Sequence, residues 1–400
     1  MKSVGIVAEY NPYHRGHKYH LERTMEITGA DCAVTVMSGN FTQRGEISPW
    51  DKWQRSESAV VAGINLVLEL PVVYAVNRGE MFARGAVDIL AGMGVDYISF
   101  GSESGNINEL INFTEEIKEN NDKITEIQKE YMSEGYSFAA GMAKAVEEVE
   151  GAEKAAILKG PNNILALEYI KRIKYWEEKG VHITPITVKR FGSGYFEIND
   201  ESGYAGASQI RDAIAGGDKD AVAYFLPEEV RGLLESAVFL GAAESKVLDI
   251  IRLDALRESA EELRQIYCMG EGLENKIKKE AMGALSLQQL IEKMTSKRYT
   301  SSAMRRLSCY MIMNLKGSEL PTGVYGRVLA ADSVGRDFVR QVKSRDDGIQ
   351  IITNINKEIP ADDEIARTLA IDIKASDIYN FIVGKDCYKY SDYVKKPFIL

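Results

Sequence analysis

Apolar residues in the first hundred positions fall into short runs separated by amphipathic stretches. Runs at residues 4–8, 32–37, 66–69 and 97–100 are rich in β-branched, aromatic and other apolar side chains, which predicts strands. Helical periodicity fills the gaps between them, from near Gly16, over 51–62 and over 81–93. Strand and helix alternating in this way predict an α/β, Rossmann-like domain, a parallel sheet with helices on both faces.

Residues 108–150 are polar and helical and read as an insertion, about 105–155, with a solvent-facing helix pair. The alternation resumes with a helix at 163–179 and a strand at 183–189. After 208–214 comes a long helical region, broken near Pro227 and continuing to about Lys316, and a tail from Gly323 that mixes helix with short strands such as 349–352. The expected organisation is a nucleotide-binding domain over 1–220 and a mostly helical region over 221–400.

Of the 400 residues 45% are hydrophobic and 27% charged, with only nine prolines, so folded structure is expected nearly throughout. No apolar run approaches the roughly 20 residues a bilayer demands, and the first residues lack the pattern of a secretory leader. A soluble, cytoplasmic protein with no membrane partner is expected. Cys32, Cys268, Cys309 and Cys387 are scattered, without a CxxC pair, and read as reduced thiols rather than a zinc site. The net charge of −10 repels polyanions, so any nucleic-acid binding needs a local basic patch.

Chemistry concentrates in Gly5-Ile-Val-Ala-Glu-Tyr-Asn-Pro-Tyr-His-Arg-Gly-His-Lys-Tyr-His20, where three of the four histidines lie within seven residues. A strand ending in an Asn11-Pro12 turn and feeding a helix puts that helix's N-terminus at the carboxyl edge of the sheet. Its free N–H groups and dipole attract phosphate there. Gly16, without a Cβ, lets a nucleotide approach the backbone. His14 and His17, three residues apart, can donate hydrogen bonds to charge developing on an α-phosphate. The structural alternative, histidines that only cap and pack, leaves their clustering without a reason.

Gly39, Arg44, Gly45 and Lys52 follow the second strand, where a cation such as Arg44 or Lys52 can hold a carboxylate or pyrophosphate or remain a solvated surface charge. Arg190, at the end of the fifth strand, suits phosphate binding. Asn162 or Asn163 reads locally as a helix N-cap, and Gly101 as a strand-end turn. Lys297, Arg298, Arg305 and Arg306 concentrate positive charge in one helical segment, with Tyr299 placed to stack on an exposed base, although charge runs are usually solvated faces.

Residues 5–17 resemble the signature of the HxGH nucleotidylyltransferase superfamily, which also includes class I aminoacyl-tRNA synthetases. Met37-Ser-Gly-Asn-Phe-Thr-Gln-Arg-Gly-Glu46, Asp51-Lys-Trp-Gln-Arg55, Leu68-Glu-Leu-Pro71, Phe100-Gly-Ser-Glu103 and Gly160-Pro-Asn-Asn-Ile-Leu165 together resemble the bacterial tRNA(Met) cytidine acetate ligase family. The resemblance implies activation of acetate by ATP to acetyl-adenylate, then acetylation of the wobble cytidine amine of elongator tRNA(Met) to N4-acetylcytidine. It implies ATP contacts along Val7, Ala8, Glu9, Tyr10, Asn11, Pro12, His14, Gly16, His17 and His20, and at Gly101, one of Asn162 and Asn163, and Arg190. Ser208-Gln-Ile-Arg211 resembles the second superfamily motif, in which Ser208 and Arg211 would hold outer phosphates, and reads equally as a serine N-cap followed by a solvated arginine. Tyr195-Phe-Glu stands where the family usually has Tyr-His-Asp, so Phe196 replaces a histidine.

The expected reaction is a two-step ligation in which His14, His17 and Mg²⁺ stabilise phosphoryl charge. Acetate, already an anion, needs no base. A nucleotidylyltransferase acting on a small metabolite is the enzymatic alternative, disfavoured by the long helical C-terminal half. A non-catalytic RNA-binding protein on the same fold is the other, disfavoured because it would place no demand on both histidines.

Overall fold

One eight-stranded sheet organises the chain in a computed structural model that describes residues 1–190, 206–215, 218–238, 240–270, 272–346, 348–358 and 360–400. Its strands are β1 (Ser3–Ala8), β2 (Cys32–Ser38), β3 (Leu66–Leu70), β4 (Tyr97–Ser102), β5 (Thr184–Lys189), β6 (Gly326–Ala331), β7 (Ile351–Ile352) and β8 (Phe398–Ile399). They lie in the order β5-β4-β1-β2-β3-β6-β7, with β8 also paired to β6. The first five strands are parallel, as their alternation with helices predicts, and β6 is antiparallel to β3.

β1 pairs with β2 on one side and β4 on the other, so the strand order reverses there. The crevice outside the carboxyl ends of these strands is where a doubly wound sheet takes its ligand. Two helices frame it, α1 (Arg15–Thr28) and α2 (Lys52–Val61). α1 stops at Gly29, whose φ of 57° belongs to the left-handed region that glycine enters freely. α2 starts at Asp51, whose carboxylate accepts the Gln54 N–H at 2.8 Å.

Every residue of β2 and β3 is buried, which their near-continuous apolar sequence requires of strands covered on both faces. A Cβ on Gly5 would stand 2.7 Å from the side chain of Leu90, so glycine there lets the helix Gly79–Met93 lie close against β1.

Three features depart from the sequence reading. The tail does not stay outside the sheet: β6, β7 and β8 extend it beyond β3, so a boundary near residue 220 does not separate sheet from helices. The region after Pro227 is not one continuous helix: after the 18-residue helix Leu240–Arg257, Ser259, Ser286 and Thr300 each cap a new N-terminus with a side-chain oxygen. The insertion is three helices, Ile107–Glu119, Asn121–Ser133 and Phe138–Glu150, and it is not wholly solvent-facing. Leu110, Phe113, Ile117, Ile124 and Val146 join the main core.

Candidate functional site

The chain leaves β1 at Ala8 and turns through Tyr10, at a φ of 44°, and a cis Asn11–Pro12 bond into α1, with His14 as N-cap. Tyr10 is buried, its hydroxyl 3.2 Å from Thr35 Oγ1 and its ring edge-on to Tyr13 and His17, with centroids 4.8 and 4.9 Å away. This aromatic bed holds the two histidines against one another. The His14 and His17 rings stack at 3.7 Å with 25° between their planes.

The His14 N–H donates to His17 Nδ1 at 3.3 Å. A neutral His17 therefore carries its proton on Nε2, the nitrogen left to donate. His20 is tied instead to the sheet, its Nε2 3.0 Å from Ser99 Oγ, which is itself 2.7 Å from Thr24 Oγ1. The missing Cβ of Gly16 would lie 2.9 Å from His14 Cε1, so a glycine here is also what leaves room for the imidazole.

Burial, reinforced by the positive charges of Arg190 and Arg211, pushes His14 down to about 3. Burial and Arg190 take His20 down to about 4, and burial with His14, Arg190 and His20 as neighbours takes His17 well below the usual range. All three are neutral donors at pH 7. Asn11 Nδ2, the Tyr13 hydroxyl and His14 Nδ1 are buried with no hydrogen-bond partner among the described residues. Each such group costs about 1–3 kcal/mol unless something supplies the missing bond. Their concentration at one turn marks a place built to receive a polar ligand.

On the β4 side, a Cβ on Gly101 would meet the Arg190 stem at 3.0 Å. The glycine thus lets Arg190 cross β4 toward the histidines, and the Arg190 N–H is anchored on Ser102 O at 2.9 Å. Asn162 and Asn163 are not N-caps. The helix Pro161–Glu177 begins after Gly160, and the Glu103 carboxylate accepts the N–H groups of both asparagines and the Asn162 side-chain amide at 2.7 Å. Asn163 Oδ1 in turn accepts the N–H of Glu103 at 3.0 Å and of Ser104 at 3.2 Å.

Arg211 reaches the turn from the helix Ala207–Ala215, donating to Asn11 O at 3.0 Å and to Glu46 at 2.8 Å, while Ser208 is exposed in that helix's first turn. Phe196 and its neighbours lie outside the described residues. Glu9 is fixed by the Gln43 N–H at 2.6 Å and more loosely by Ser38 Oγ at 3.4 Å.

Arg55, to which sequence reasoning gave no role, is wholly buried. Its guanidinium donates to the carbonyls of Glu9, Ser38, Gly39 and Trp50 and clamps the ends of β1 and β2 together. The only sequence signal for it is an arginine on the inward face of a helix, which must find carbonyl or carboxylate partners to be buried.

Lys52 does not present its ammonium as a ligand for acetate or pyrophosphate. It is fully buried, donating to both Glu69 oxygens at 2.7 and 2.8 Å and to Asp392 at 2.8 Å. Arg327 completes the cluster, 2.9 Å from Asp392 and 3.3 Å from Glu69. Arg44, by contrast, is exposed on the loop after β2.

The basic segment at 297–306 is partly committed. Lys297 lies 3.5 Å over the Tyr136 ring and donates to Glu134 O, linking this segment to the insertion. Tyr299 packs on the core, Arg305 bonds Gln288, and Arg306 donates to Gln43 O at 3.4 Å. A Cβ on Gly45 would meet the backbone at Arg305–Arg306 at 2.5 Å, so the loop after β2 rests on this helix. Arg298 is exposed.

A mostly parallel sheet with stacked neutral histidines at the β1–α1 turn defines a nucleotidyl transferase of the HIGH type, and the HIGH Nucleotidyl Transferase family model matches residues 1–392. The tRNA(Met) cytidine acetate ligase of Thermoanaerobacter sp. (strain X514) is 36% identical, spanning 100% of this chain and 98% of that protein. Its namesake from Caldicellulosiruptor saccharolyticus is 35% identical over 99% and 96%. The crystal structure of Thermotoga maritima TmcAL bound with alpha-thio ATP matches with a TM-score of 0.88 at 29% identity, covering the whole of both chains. This chain belongs to the tRNA(Met) cytidine acetate ligase family.

Proposed function

We propose that this enzyme is an ATP-dependent ligase that acetylates the wobble cytidine of elongator tRNA(Met), with acetate as the acyl source. The observation that carries the reading is the pair of neutral histidines at a turn where three buried polar atoms, His14 Nδ1 among them, have no partner among the described residues, in a chain similar over its full length to tRNA(Met) cytidine acetate ligases.

In the first step an acetate oxygen attacks the α-phosphorus of ATP and pyrophosphate leaves with the electron pair of the broken P–O bond. The nucleophile is already an anion, so the protein's task is alignment and charge stabilisation. His17 Nε2–H and His14 donate to the non-bridging oxygens, while Arg190 and Arg211 hold the phosphates with their permanent charge. Among the described residues no group of three or more His, Cys, Asp or Glu is placed to hold a metal by itself. Mg²⁺ fits as the companion of the ATP phosphates, neutralising their charge.

In the second step the cytidine amine attacks the acetyl carbonyl and AMP leaves, giving N4-acetylcytidine. Lys297, Arg298 and Arg305 are candidates for the tRNA backbone. No described helix is long and apolar enough to cross a membrane, and the reading places the enzyme in the cytoplasm with its ATP and tRNA.

The test is incubation of the protein with ATP and labelled acetate, with and without total tRNA. Acetyl-adenylate in both and labelled N4-acetylcytidine only with tRNA are expected. Transfer of AMP to a small metabolite without RNA labelling would select the metabolite enzyme, and RNA binding without adenylate formation the non-catalytic protein.

A further inference from the structure

Side chains of β1 alternate between the two cores. Val4, Ile6 and Ala8 face one, which also takes Tyr10, and Val7 faces the other. Glu9, next in the odd series, follows Val7. Its environment there comes from four directions. The Gln43 N–H and Ser38 Oγ hold Oε1, Arg55 holds the Glu9 carbonyl at 2.6 Å, and Glu46 and Arg211 stand close by from the loop and the helix Ala207–Ala215. Tyr169, buried against Phe100 with ring centroids 5.5 Å apart, feels the Glu9 charge from the remaining side. Oε2 has no hydrogen-bond partner among the described residues.

We propose that Glu9 is the general base of the acetyl-transfer step, taking the proton from the cytidine amine on Oε2. The inference rests on the ligase reading above. As the amine nitrogen forms its bond to the acetyl carbon, that carbon's bond to the phosphate oxygen breaks and AMP departs with the electron pair. The proton released from nitrogen goes to Glu9 and from there to solvent.

Three observations support the assignment. The first step needs no base, but the second must dispose of an amine proton, and the histidines are unsuited to it. An imidazole held at about 3 or 4 gives up its proton to water at neutral pH. Glu9 moves the opposite way: burial raises its carboxyl above the usual range and Glu46 adds to this, while the Gln43 N–H, Arg211 and Arg55 oppose it. A fixed carboxylate with one oxygen occupied and the other open is the geometry a base requires.

The experiment compares wild type with Glu9→Gln, which keeps the shape and the acceptor for Gln43, and with Glu9→Asp. Acetate-dependent ATP–pyrophosphate exchange without tRNA reads the first step. Single-turnover acetylation of tRNA from enzyme-bound acetyl-adenylate, across a pH series, reads the second. The expected result in Glu9→Gln is transfer lower by about 10²–10³ and by far more than any fall in exchange, partial recovery of transfer in Glu9→Asp, and loss of the acidic limb of the transfer profile. Equal loss in both steps would make Glu9 a holder of acetate or of the loop, and unchanged transfer would leave it no role; either overturns the assignment. Wild type forming no acetyl-adenylate would instead defeat the ligase reading itself.

Discussion

The loop after β1 and the loop after β2 both carry polar side chains to the carboxyl edge of the sheet, yet they end in opposite states. After β1, His14, Asn11 and Tyr13 keep buried atoms without partners among the described residues. After β2, Lys52 and its neighbours Glu69, Arg327 and Asp392 each meet an opposite charge within 3.3 Å. Residue type and position relative to the strands do not separate a site from a scaffold; the state of the hydrogen bonds does. A buried group left short is held so by the rest of the fold and is relieved when a ligand binds. The four buried charges after β2 answer one another, and only Asp392 Oδ1 among their polar atoms has no partner among the described residues, whereas the β1 turn leaves three such atoms together with no charge to answer them.

The strongest way to break that contrast is Lys52→Ala. It strands Glu69 and Asp392 beside Arg327 in the core, and breaking a buried ion pair by removing one partner costs about 3–5 kcal/mol. Urea denaturation should show a loss of that size, with ATP affinity per folded molecule little changed. A stable Lys52→Ala protein that binds acetate or pyrophosphate poorly would return Lys52 to the site.

His17→Ala should do the reverse. The ring is a donor to transition-state charge, so its loss raises the barrier of acetyl-adenylate formation by about 3 kcal/mol, roughly 10²-fold in rate, and His14→Ala behaves similarly. Unfolding midpoints should stay near wild type, because each truncation also removes a buried polar ring. Pyrophosphate-release rates unchanged in both variants would remove the histidines from the chemistry.

The depressed histidines also predict how stability follows pH. In the unfolded chain His14 titrates near 6.5, and in the folded protein at about 3. Between those values the unfolded state binds more protons, so stability falls as pH falls through this window. At pH 5 the loss from His14 alone is about 2 kcal/mol relative to pH 7. Thermal melts from pH 7 to 5 should show this fall, and His14→Asn should make the slope shallower. Equal slopes would mean that the ring is hydrated and titrates normally.

These outcomes bear on what the sequence disclosed. The five parallel strands and the histidine turn were legible because their information is local, in short apolar runs with breakers between them and three histidines on one helix start. β6 was not, because its partner β3 lies more than 250 residues earlier and only the folded sheet brings Gly326–Ala331 beside Leu66–Leu70. Lys52 was misread for the same reason, since Asp392 is 340 residues away. Gly16 and the Asn162–Asn163 pair show a subtler limit. Their immediate neighbours were not legible: His14 fills the space beside Gly16, and the helix N-terminus at Asn162 and Asn163 is capped by Glu103, just after β4.

The smallest expected effect concerns RNA, and it divides the basic segment by which cations face outward. Lys297 and Arg298 are both exposed, Lys297 lying over the Tyr136 ring, whereas Arg306 is turned inward to Gln43 O. Arg298→Glu should weaken tRNA binding by about tenfold and lower the salt dependence by roughly one unit of slope, because a lost phosphate contact releases fewer counterions. Lys297→Glu should weaken it too, and should also loosen this segment from the insertion through Tyr136 and Glu134 O. Arg306→Glu should act mainly on the acetyl-transfer step, because Gln43 is the residue that fixes Glu9. Affinity measured at several salt concentrations beside single-turnover acetyl transfer at saturating tRNA separates the three variants. An Arg306→Glu protein that loses tRNA affinity but transfers acetyl normally would put Arg306 on the RNA surface.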